Sequence, residues 1–234
     1  MDIVPSESLA GLLIARSRGC WDAYTRHRFV EELATGRLPV DCFRHYLVQD
    51  YLFLIHFSRA WALAAFKAER IEDIRACAAT VNALIDDEIR LHVDYCRSFG
   101  IDEAVMAATA EEPANMAYTR FVMERGLAGD LLDLLVALAP CVIGYGAIGR
   151  RLADDPATIR DGNRYDAWIA MYSGADYAEV VACCVAQLDR VAAERLGRID
   201  TSHPRMARLQ ETFDAATRLE IGFWDMGLRP PGCN

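Results

Sequence analysis

The 234-residue sequence has little of what marks several common functional classes. Lys and Arg together number 25 against 34 Asp and Glu, so the formal net charge is −9. This sign disfavours binding to nucleic-acid phosphates and docking on anionic lipid, since both need clustered basic residues. No pair among its eight cysteines has the Cys-x-x-Cys spacing of zinc or redox sites. The five histidines are scattered, and neither a Gly-x-Ser-x-Gly elbow nor a Gly-rich phosphate loop occurs.

Export and membrane signals are also missing. The first ten residues, MDIVPSESLA, have neither a basic start nor a long apolar run, so we predict no signal peptide and a cytoplasmic chain with reduced thiols. One charge-free stretch, 134–149, is 16 residues long and contains Pro140 and three glycines. A transmembrane helix needs about 20 apolar residues. We therefore predict that this stretch is a central, buried helix whose glycines allow close approach.

The apolar residues recur at spacings of three and four along nearly the whole chain, which is typical of amphipathic helices. No segment combines the alternation of a strand with a hairpin turn. We predict an all-α bundle of about eight helices, forming one domain over 1–234 with an irregular tail after about 228. Pro39 is expected at the first position of its helix. The predicted helices are one or two within 9–33, then 39–68, 71–99, 101–108, 113–126, 130–153, 164–172, 175–196 and 204–228.

Two carboxylates fall on faces that the pattern assigns to the core. Asp50 lies on a stripe with Leu47 and Leu54, where it either pairs internally or faces a cavity and accepts hydrogen bonds from a ligand. Glu220 shares a helix face with Trp224. It is either a carboxylate at the helix edge or an acid in an apolar pocket, where a raised pKa would let it donate a proton near neutral pH.

Cys141 follows Pro140 in the middle of the predicted buried helix. Proline removes a backbone hydrogen bond and bends the helix, so a thiol there can face a small cavity. A buried cysteine is more often a small hydrophobic residue than a nucleophile, and both interpretations stay open. Tyr145 lies one turn further on the same face. Glu88 and His92, also four apart, are interpreted as a hydrogen-bonded pair that ties helices together.

Seven motifs in one consistent order resemble those of the TenA family, also called thiaminase II, which has the haem-oxygenase-like fold. The resemblance covers about residues 20–228, and the common order makes a set of individually weak motifs specific. The motifs are Phe29-Val30-Glu31-Glu32-Leu33 with Gly36-x-Leu38-Pro39, Phe43-x-x-Tyr46-x-x-Gln49-Asp50-Tyr51, Glu88-x-x-x-His92, Ala117-Tyr118-Thr119, Pro140-Cys141 with Tyr145, Trp168-Ile169-x-x-Tyr172 and Glu220-x-x-Phe223-Trp224-x-Met226.

The resemblance implies a hydrolase that cleaves thiamin-derived aminopyrimidines to hydroxymethylpyrimidine for thiamin salvage, with thiamin itself as a further substrate. It implies that Cys141 adds to the pyrimidine ring, that Glu220 protonates a ring nitrogen and that Asp50 binds the aminopyrimidine edge. It further implies no metal, no redox cofactor and a homotetramer. The substrate-contacting residues implied besides Asp50 are Tyr145, Tyr172, Tyr118 and Phe53.

Phe53 departs from the family pattern, in which a tyrosine thought to activate the cysteine usually stands three residues after the aspartate. Phenylalanine keeps a ring for stacking and lacks the hydroxyl. An unactivated thiol is only a few per cent thiolate at neutral pH, so this departure bears on the rate or on the preferred leaving group. Tyr51 is the candidate for supplying a hydroxyl instead.

Two other classes of function are compatible with the same fold. An oxidative or metal-dependent enzyme would purify with iron, haem or another metal. A non-catalytic pyrimidine-binding or regulatory protein is the second, because the family has historically carried a transcriptional-activator label. The presence of Cys141 favours the cysteine-dependent hydrolases, and the charge of −9 without a clear basic recognition helix disfavours DNA binding.

Overall fold

A computed structural model describes residues 3–197 and 202–231. The residues in these two ranges form helices joined by turns and loops, without a strand, which confirms the all-α prediction. The α-helices are α1 (Leu9–Arg16), α2 (Arg18–Thr25), α3 (Arg28–Ala34), α4 (Val40–Lys67), α5 (Ile71–Ala83), α6 (Ile89–Ser98), α7 (Glu103–Ala108), α8 (Pro113–Ala128), α9 (Leu131–Asp154), α10 (Asp166–Ser173), α11 (Ala175–Leu196) and α12 (Arg205–Gly227).

Glycine and proline mark several helix ends where the sequence predicts them. Gly36 and Gly100, at φ values of 68° and 76°, follow the ends of α3 and α6 in a backbone region that glycine adopts without strain. Pro113 is the first residue of α8. The prediction for Pro39 is wrong by one position. Pro39 is the N-cap of α4, where its extended backbone lets its carbonyl accept the first helical hydrogen bonds, among them that of Phe43.

The twelve α-helices of the described residues exceed both the predicted total of about eight and the nine or ten predicted ranges, and they exceed the ranges because two segments are broken. The opening segment contains three helices, with the side chain of Ser8 capping α1 and that of His27 accepting from the Phe29 amide. The predicted helix over 71–99 is interrupted by a π-helical turn, Leu84–Glu88, between α5 and α6. One inserted residue rotates everything after it by about 100° around the helix axis.

The chain divides into two compact units. The first comprises Met1–Leu38 and Leu135–Ile221, and the second comprises Pro39–Leu134 and Gly222–Asn234. The prediction of one domain over 1–234 stays a prediction.

In the first unit, α9 is approached closely by two neighbouring helices at its glycines. A Cβ on Gly144 would lie 2.1 Å from the Tyr24 ring of α2, and one on Gly149 would lie 2.3 Å from the Tyr172 backbone of α10. The residues from 131 to 146 are all buried except Cys141. This confirms α9 as a buried helix with glycine-mediated packing.

The length and composition of α9 also fit a membrane span. Its most apolar 18-residue window has a mean hydropathy of 2.1, but 89% of that window is buried inside the protein. The helices α10 and α11 are long and apolar enough for a membrane span only if they are counted as one segment with a 46° bend between them. Burial of this extent is what the core helix of a globular protein shows, so the length of α9 is weak evidence for a membrane.

Replacement of Gly149 with alanine is expected to lower the free energy of unfolding by about 1–3 kcal/mol or more, because the new methyl group meets backbone atoms that cannot rotate away. Urea unfolding followed by circular dichroism measures this change. Gly19→Ala in α2 is the matched control: its Cβ meets nothing within 4 Å, so the stability should rise by a few tenths of a kcal/mol, at most about 1. A Gly149→Ala protein as stable as the wild type would contradict the packing described.

In the second unit, α4 is the central helix, with α5, α6, α7 and α8 packed on it. The buried Gln49 of α4 binds the loop that precedes α8. Its side-chain amide donates to the Ala110 carbonyl, and its side-chain oxygen accepts from the Glu112 amide. Asn115 of α8 donates to the Gln49 backbone carbonyl. These bonds fix the start of α8 against α4, and with it the position of Tyr118 one turn later.

Candidate active site

Asp50 is a buried carboxylate on the central helix of the second unit. Its Oδ2 accepts a hydrogen bond of 2.9 Å from the hydroxyl of Tyr46, one turn earlier on α4. The same Oδ2 lies 2.6 Å from Nε2 of His92 on α6. Within the described residues, both hydrogen bonds to Asp50 end on Oδ2, so Oδ1 keeps its acceptor capacity. The structure therefore contains the internal pair foreseen for Asp50 and leaves one carboxylate oxygen for a further donor.

His92 is fixed from both sides of its ring. Nδ1 lies 2.8 Å from the Glu88 backbone carbonyl, at the end of the π-helical turn. Burial alone would lower the pKa of His92, but the charge of Asp50 and the hydrogen bond to it outweigh burial and raise that pKa. The predicted association of Glu88 with His92 therefore runs through the Glu88 backbone, and the imidazole links α6 to α4.

The stability of the fold is expected to depend on pH through His92. A histidine whose pKa is higher in the folded state stabilises fully below its ordinary value of about 6.5, and the contribution is lost as the pH rises through the folded pKa. We expect the wild type to lose at most about 1.4 kcal/mol per pH unit above that value relative to Asp50→Asn/His92→Gln, which carries neither charge. Urea unfolding between pH 6 and 9 measures the difference. A difference that stays constant over this range would contradict a charged His92.

Phe53 and Tyr118, two of the residues expected to contact a substrate, pack against each other in the second unit. Their ring centroids are 5.1 Å apart, and Phe57 and Phe223 lie 5.2 and 5.5 Å from Phe53. Phe53 is thus one ring of an aromatic cluster, which keeps the stacking surface and has no hydroxyl at this position.

The hydroxyl group of Tyr51, the candidate replacement for the one missing at Phe53, forms a hydrogen bond to a different helix. It donates to Glu103 on α7 at 3.3 Å. Burial and the neighbouring Glu103 carboxylate both raise the pKa of Tyr51. Because Tyr51 and Phe53 are two residues apart on α4, they point to different faces of the helix. Tyr51 is therefore poorly placed to replace the hydroxyl missing from Phe53.

Cys141 is the partly exposed residue in the otherwise buried stretch of α9. The carbonyl of Pro140, directly before it, accepts a hydrogen bond from the Tyr24 hydroxyl at 3.4 Å. Proline at this position cannot donate to the preceding turn, so the helix is locally weakened there. The thiol of Cys141 is thus partly exposed beside a local weakening of the helix, between two buried stretches of it.

Tyr145 and Tyr172 also lie together, in the first unit. Their ring centroids are 4.8 Å apart in an edge-to-face arrangement, and Trp168 lies 4.6 Å from Tyr172. Tyr145 is one turn after Cys141 on α9, while Tyr172 and Trp168 share α10. The close packing at Gly149 holds α10 against α9, so these three rings form one aromatic wall.

Glu220 lies on α12 with 2% of its surface exposed. This burial excludes a carboxylate at a solvent-exposed helix edge. A carboxyl group taken out of water is costly unless it is paired or protonated. Of the two interpretations of Glu220, burial leaves the carboxyl group inside the protein.

The remaining titratable groups form no obvious metal centre. Within 3–197 and 202–231, no group of three or more His, Cys, Asp and Glu side chains is arranged to hold a metal ion. Cys96 is fully buried, and burial raises the pKa of its thiol to about 11. Cys233 lies outside the described residues. Among the thiols described, Cys141 therefore differs from an inert buried thiol such as Cys96 by its exposure.

Three residues that contact the candidate residues were assigned no role at the substrate from the sequence. Tyr46 and His92 hold Asp50, and Trp168 completes the aromatic wall with the two tyrosines. The spacing of four between Tyr46 and Asp50 is the signal that could have revealed the first contact. His92 and Asp50 are 42 positions apart, so no local spacing in the sequence indicates their contact.

Comparison with known proteins agrees with this architecture. Residues 14–230 match the family model described as TENA/THI-4/PQQC family. A solved structure described as a TenA family transcription regulator from Silicibacter sp. TM1040 is 49% identical, with a TM-score of 0.92 over 97% of this chain and 99% of that one. A Haemophilus influenzae protein described as uncharacterized is 37% identical over 216 residues, 92% of this chain and 97% of its own. An aminopyrimidine aminohydrolase from Halalkalibacterium halodurans is 30% identical over 219 residues, 94% of this chain and 95% of its own.

A more distant structure gives evidence for the fold alone. A Shewanella denitrificans domain described as having a heme oxygenase-like fold aligns with a TM-score of 0.65 at 12% identity. Together with the all-α architecture, this confirms the predicted haem-oxygenase-like fold. Since the family model spans nearly the whole sequence, the chain belongs to the TENA/THI-4/PQQC family.

Proposed function

We propose that this chain is an aminopyrimidine aminohydrolase that cleaves thiamin-derived aminopyrimidines, and thiamin itself, to hydroxymethylpyrimidine for thiamin salvage. The observation that carries the proposal is Cys141, a partly exposed thiol within a helical stretch that is otherwise buried. A relative named aminopyrimidine aminohydrolase that aligns over 94% of this chain supports the same activity.

Substrate binding is assigned to the carboxylate and the rings. An aminopyrimidine presents N–H donors along one edge, and a carboxylate oxygen such as Asp50 Oδ1 accepts them. The flat faces of the ring suit the aromatic surfaces of Phe53 and Tyr118, and those of Tyr145 and Tyr172. In this proposal these five residues bind and orient the substrate.

The chemical step is assigned to Cys141 and Glu220. The Cys141 sulfur forms a bond to a ring carbon, and the electron pair displaced from the ring is neutralised by a proton that Glu220 delivers to a ring nitrogen. The proton of the thiol passes to the amine, the dearomatised adduct expels this amine from the exocyclic methylene, and water then adds its hydroxyl group at that carbon. Breaking the carbon–sulfur bond restores the aromatic ring; the proton on the ring nitrogen returns to Glu220, and the proton released by water restores the thiol. The net reaction exchanges the amine for a hydroxyl group and needs no metal or redox cofactor.

Phe53→Tyr is expected to raise kcat at neutral pH by several-fold, since it adds the hydroxyl that the family usually has at this position. An unactivated thiol is a few per cent thiolate at pH 7, so complete activation would raise the rate by at most about 30-fold. Release of hydroxymethylpyrimidine, followed by liquid chromatography, gives kcat. Phe57→Tyr adds a hydroxyl to the neighbouring ring and serves as the control. Equal rates in the wild type and both variants would argue against Phe53 as the site of the missing group.

Assembly and location complete the proposal. The resemblance implies a homotetramer in the cytoplasm that acts on a small molecule, without nucleic acid or membrane as partner. Light scattering of the purified protein at working concentration measures the assembly state, and a monomer would contradict this part of the proposal.

The activity itself is tested by incubating the purified protein with aminomethyl-pyrimidine and, separately, with thiamin. The proposal predicts release of hydroxymethylpyrimidine from aminomethyl-pyrimidine with one equivalent of ammonia. Tight binding of the pyrimidine without turnover would instead support a ligand-binding protein and overturn the hydrolase.

A further inference from the structure

We infer that His92 is a positioning residue that is held as an imidazolium between the Glu88 carbonyl and Asp50, and that it keeps Asp50 ionised so that the site selects aminopyrimidines over pyrimidinones. The inference rests on the proposed function, because it takes Asp50 as the residue that binds the pyrimidine edge. It adds a reason for the charge state of that residue, and it assigns His92 a role without contact to the substrate.

The hydrogen-bond distances support a proton on each ring nitrogen of His92. The Glu88 carbonyl is only an acceptor, so Nδ1, 2.8 Å away, carries a proton. Nε2 lies 2.6 Å from Asp50 Oδ2, a distance typical of a charge-assisted bond. An ordinary aspartate has a pKa about 2.6 units below that of histidine, so a proton shared by the two belongs on the imidazole.

The surroundings of His92 favour its charged form. The charged groups that act on it are Asp50 from α4 and Glu88 from the π-helical turn, and both raise its pKa. Tyr46, also from α4, is neutral, with its ring 6.5 Å from the imidazole, and its hydroxyl donates to the same Oδ2. Two donors on Oδ2, one of them cationic, stabilise the carboxylate.

The charge state of Asp50 decides which ring the site accepts. As a carboxylate, Asp50 offers Oδ1 only as an acceptor, which suits an exocyclic amine. With 3% of its surface exposed, Asp50 lies in an environment that favours the neutral form of a carboxyl group without a charged partner, and the cationic donor on Oδ2 is that partner. A protonated carboxyl donates, and so it suits a pyrimidinone, in which a carbonyl oxygen replaces the amine.

The test measures binding of two probes by calorimetry between pH 6 and 8.5. The probes are hydroxymethylpyrimidine and the matched pyrimidinone. The proteins are the wild type, His92→Leu, His92→Gln (which retains a neutral donor) and Tyr46→Phe (which removes the neutral donor from the same Oδ2).

Circular dichroism verifies that each variant is folded. Nitrogen NMR of the ligand-free wild type reports independently whether both His92 nitrogens carry protons at pH 7, so one readout needs no variant.

We expect the wild type to prefer the amino probe at every pH. In His92→Leu the ratio of the two affinities should fall by about 10- to 100-fold at pH 6 and recover towards pH 8.5. Tyr46→Phe should lose affinity without such a pH-dependent recovery. A loss in His92→Leu and His92→Gln that is equal at all pH values would mean a merely structural role and overturn the inference, as would a singly protonated His92 in the NMR spectrum. A doubly protonated His92 in a wild type that binds neither probe would support the charge assignment and overturn the proposed function instead.

Discussion

Replacement of Cys141 with serine is expected to lower kcat for hydroxymethylpyrimidine release by about 10³-fold or more, because serine keeps the size of the side chain and loses the nucleophile. The binding of hydroxymethylpyrimidine should change little, since the residues assigned to the pyrimidine edge and faces are intact. Calorimetry for binding and chromatography for turnover separate the two effects.

Two controls isolate the thiol of Cys141 from the other cysteines. Cys183→Ser changes an exposed cysteine of α11 and should retain full activity. Iodoacetamide labelling read by mass spectrometry should modify Cys141, with protection by hydroxymethylpyrimidine, and should spare Cys96, whose buried thiol has a pKa raised to about 11. Retention of wild-type activity in Cys141→Ser would rule out the covalent mechanism.

Glu220→Gln is expected to lower kcat by about 10²- to 10⁴-fold, the usual contribution of a positioned general acid. Glutamine fills the same buried space on α12 and cannot deliver a proton to the ring nitrogen. The expected signature is a fall in kcat with a nearly unchanged KM, because the proton is needed only after the substrate has bound. Steady-state kinetics on aminomethyl-pyrimidine measures both constants.

Glu211→Gln is the matched control for Glu220. It makes the same chemical change on the same helix at an exposed position and should leave both constants unchanged. If Glu220→Gln raised KM and left kcat intact, Glu220 would be a binding residue, and the proton would come from another group.

The helical architecture was predictable because its signals are local. The spacing of apolar residues marks helices such as α4 and α9, and Gly100 and Pro113 mark ends at which no other residue type is as well suited. The π-helical turn Leu84–Glu88 was not predictable in the same way. A single inserted residue leaves the apolar periodicity on either side intact and changes only the direction in which α6 presents its residues.

The candidate site was predictable in its residue types and less so in their contacts. The position of Asp50 on an apolar stripe indicates a carboxylate that needs a partner, and the position of Pro140 indicates an interruption beside a thiol. The partner, His92, comes from a separate helix after the π-helical turn, so its contact depends on tertiary packing that the sequence pattern does not encode. The hydrogen bond from Tyr51 to Glu103 likewise depends on tertiary packing.

The most direct test of the account is a crystal structure of the protein with bound hydroxymethylpyrimidine. From the proposed function we expect the pyrimidine to be bound with Asp50 Oδ1 at the exocyclic amine, Cys141 Sγ facing a ring carbon and Glu220 at a ring nitrogen. A pyrimidine bound at another place, or Asp50, Cys141 and Glu220 too far apart to touch one ring, would contradict it.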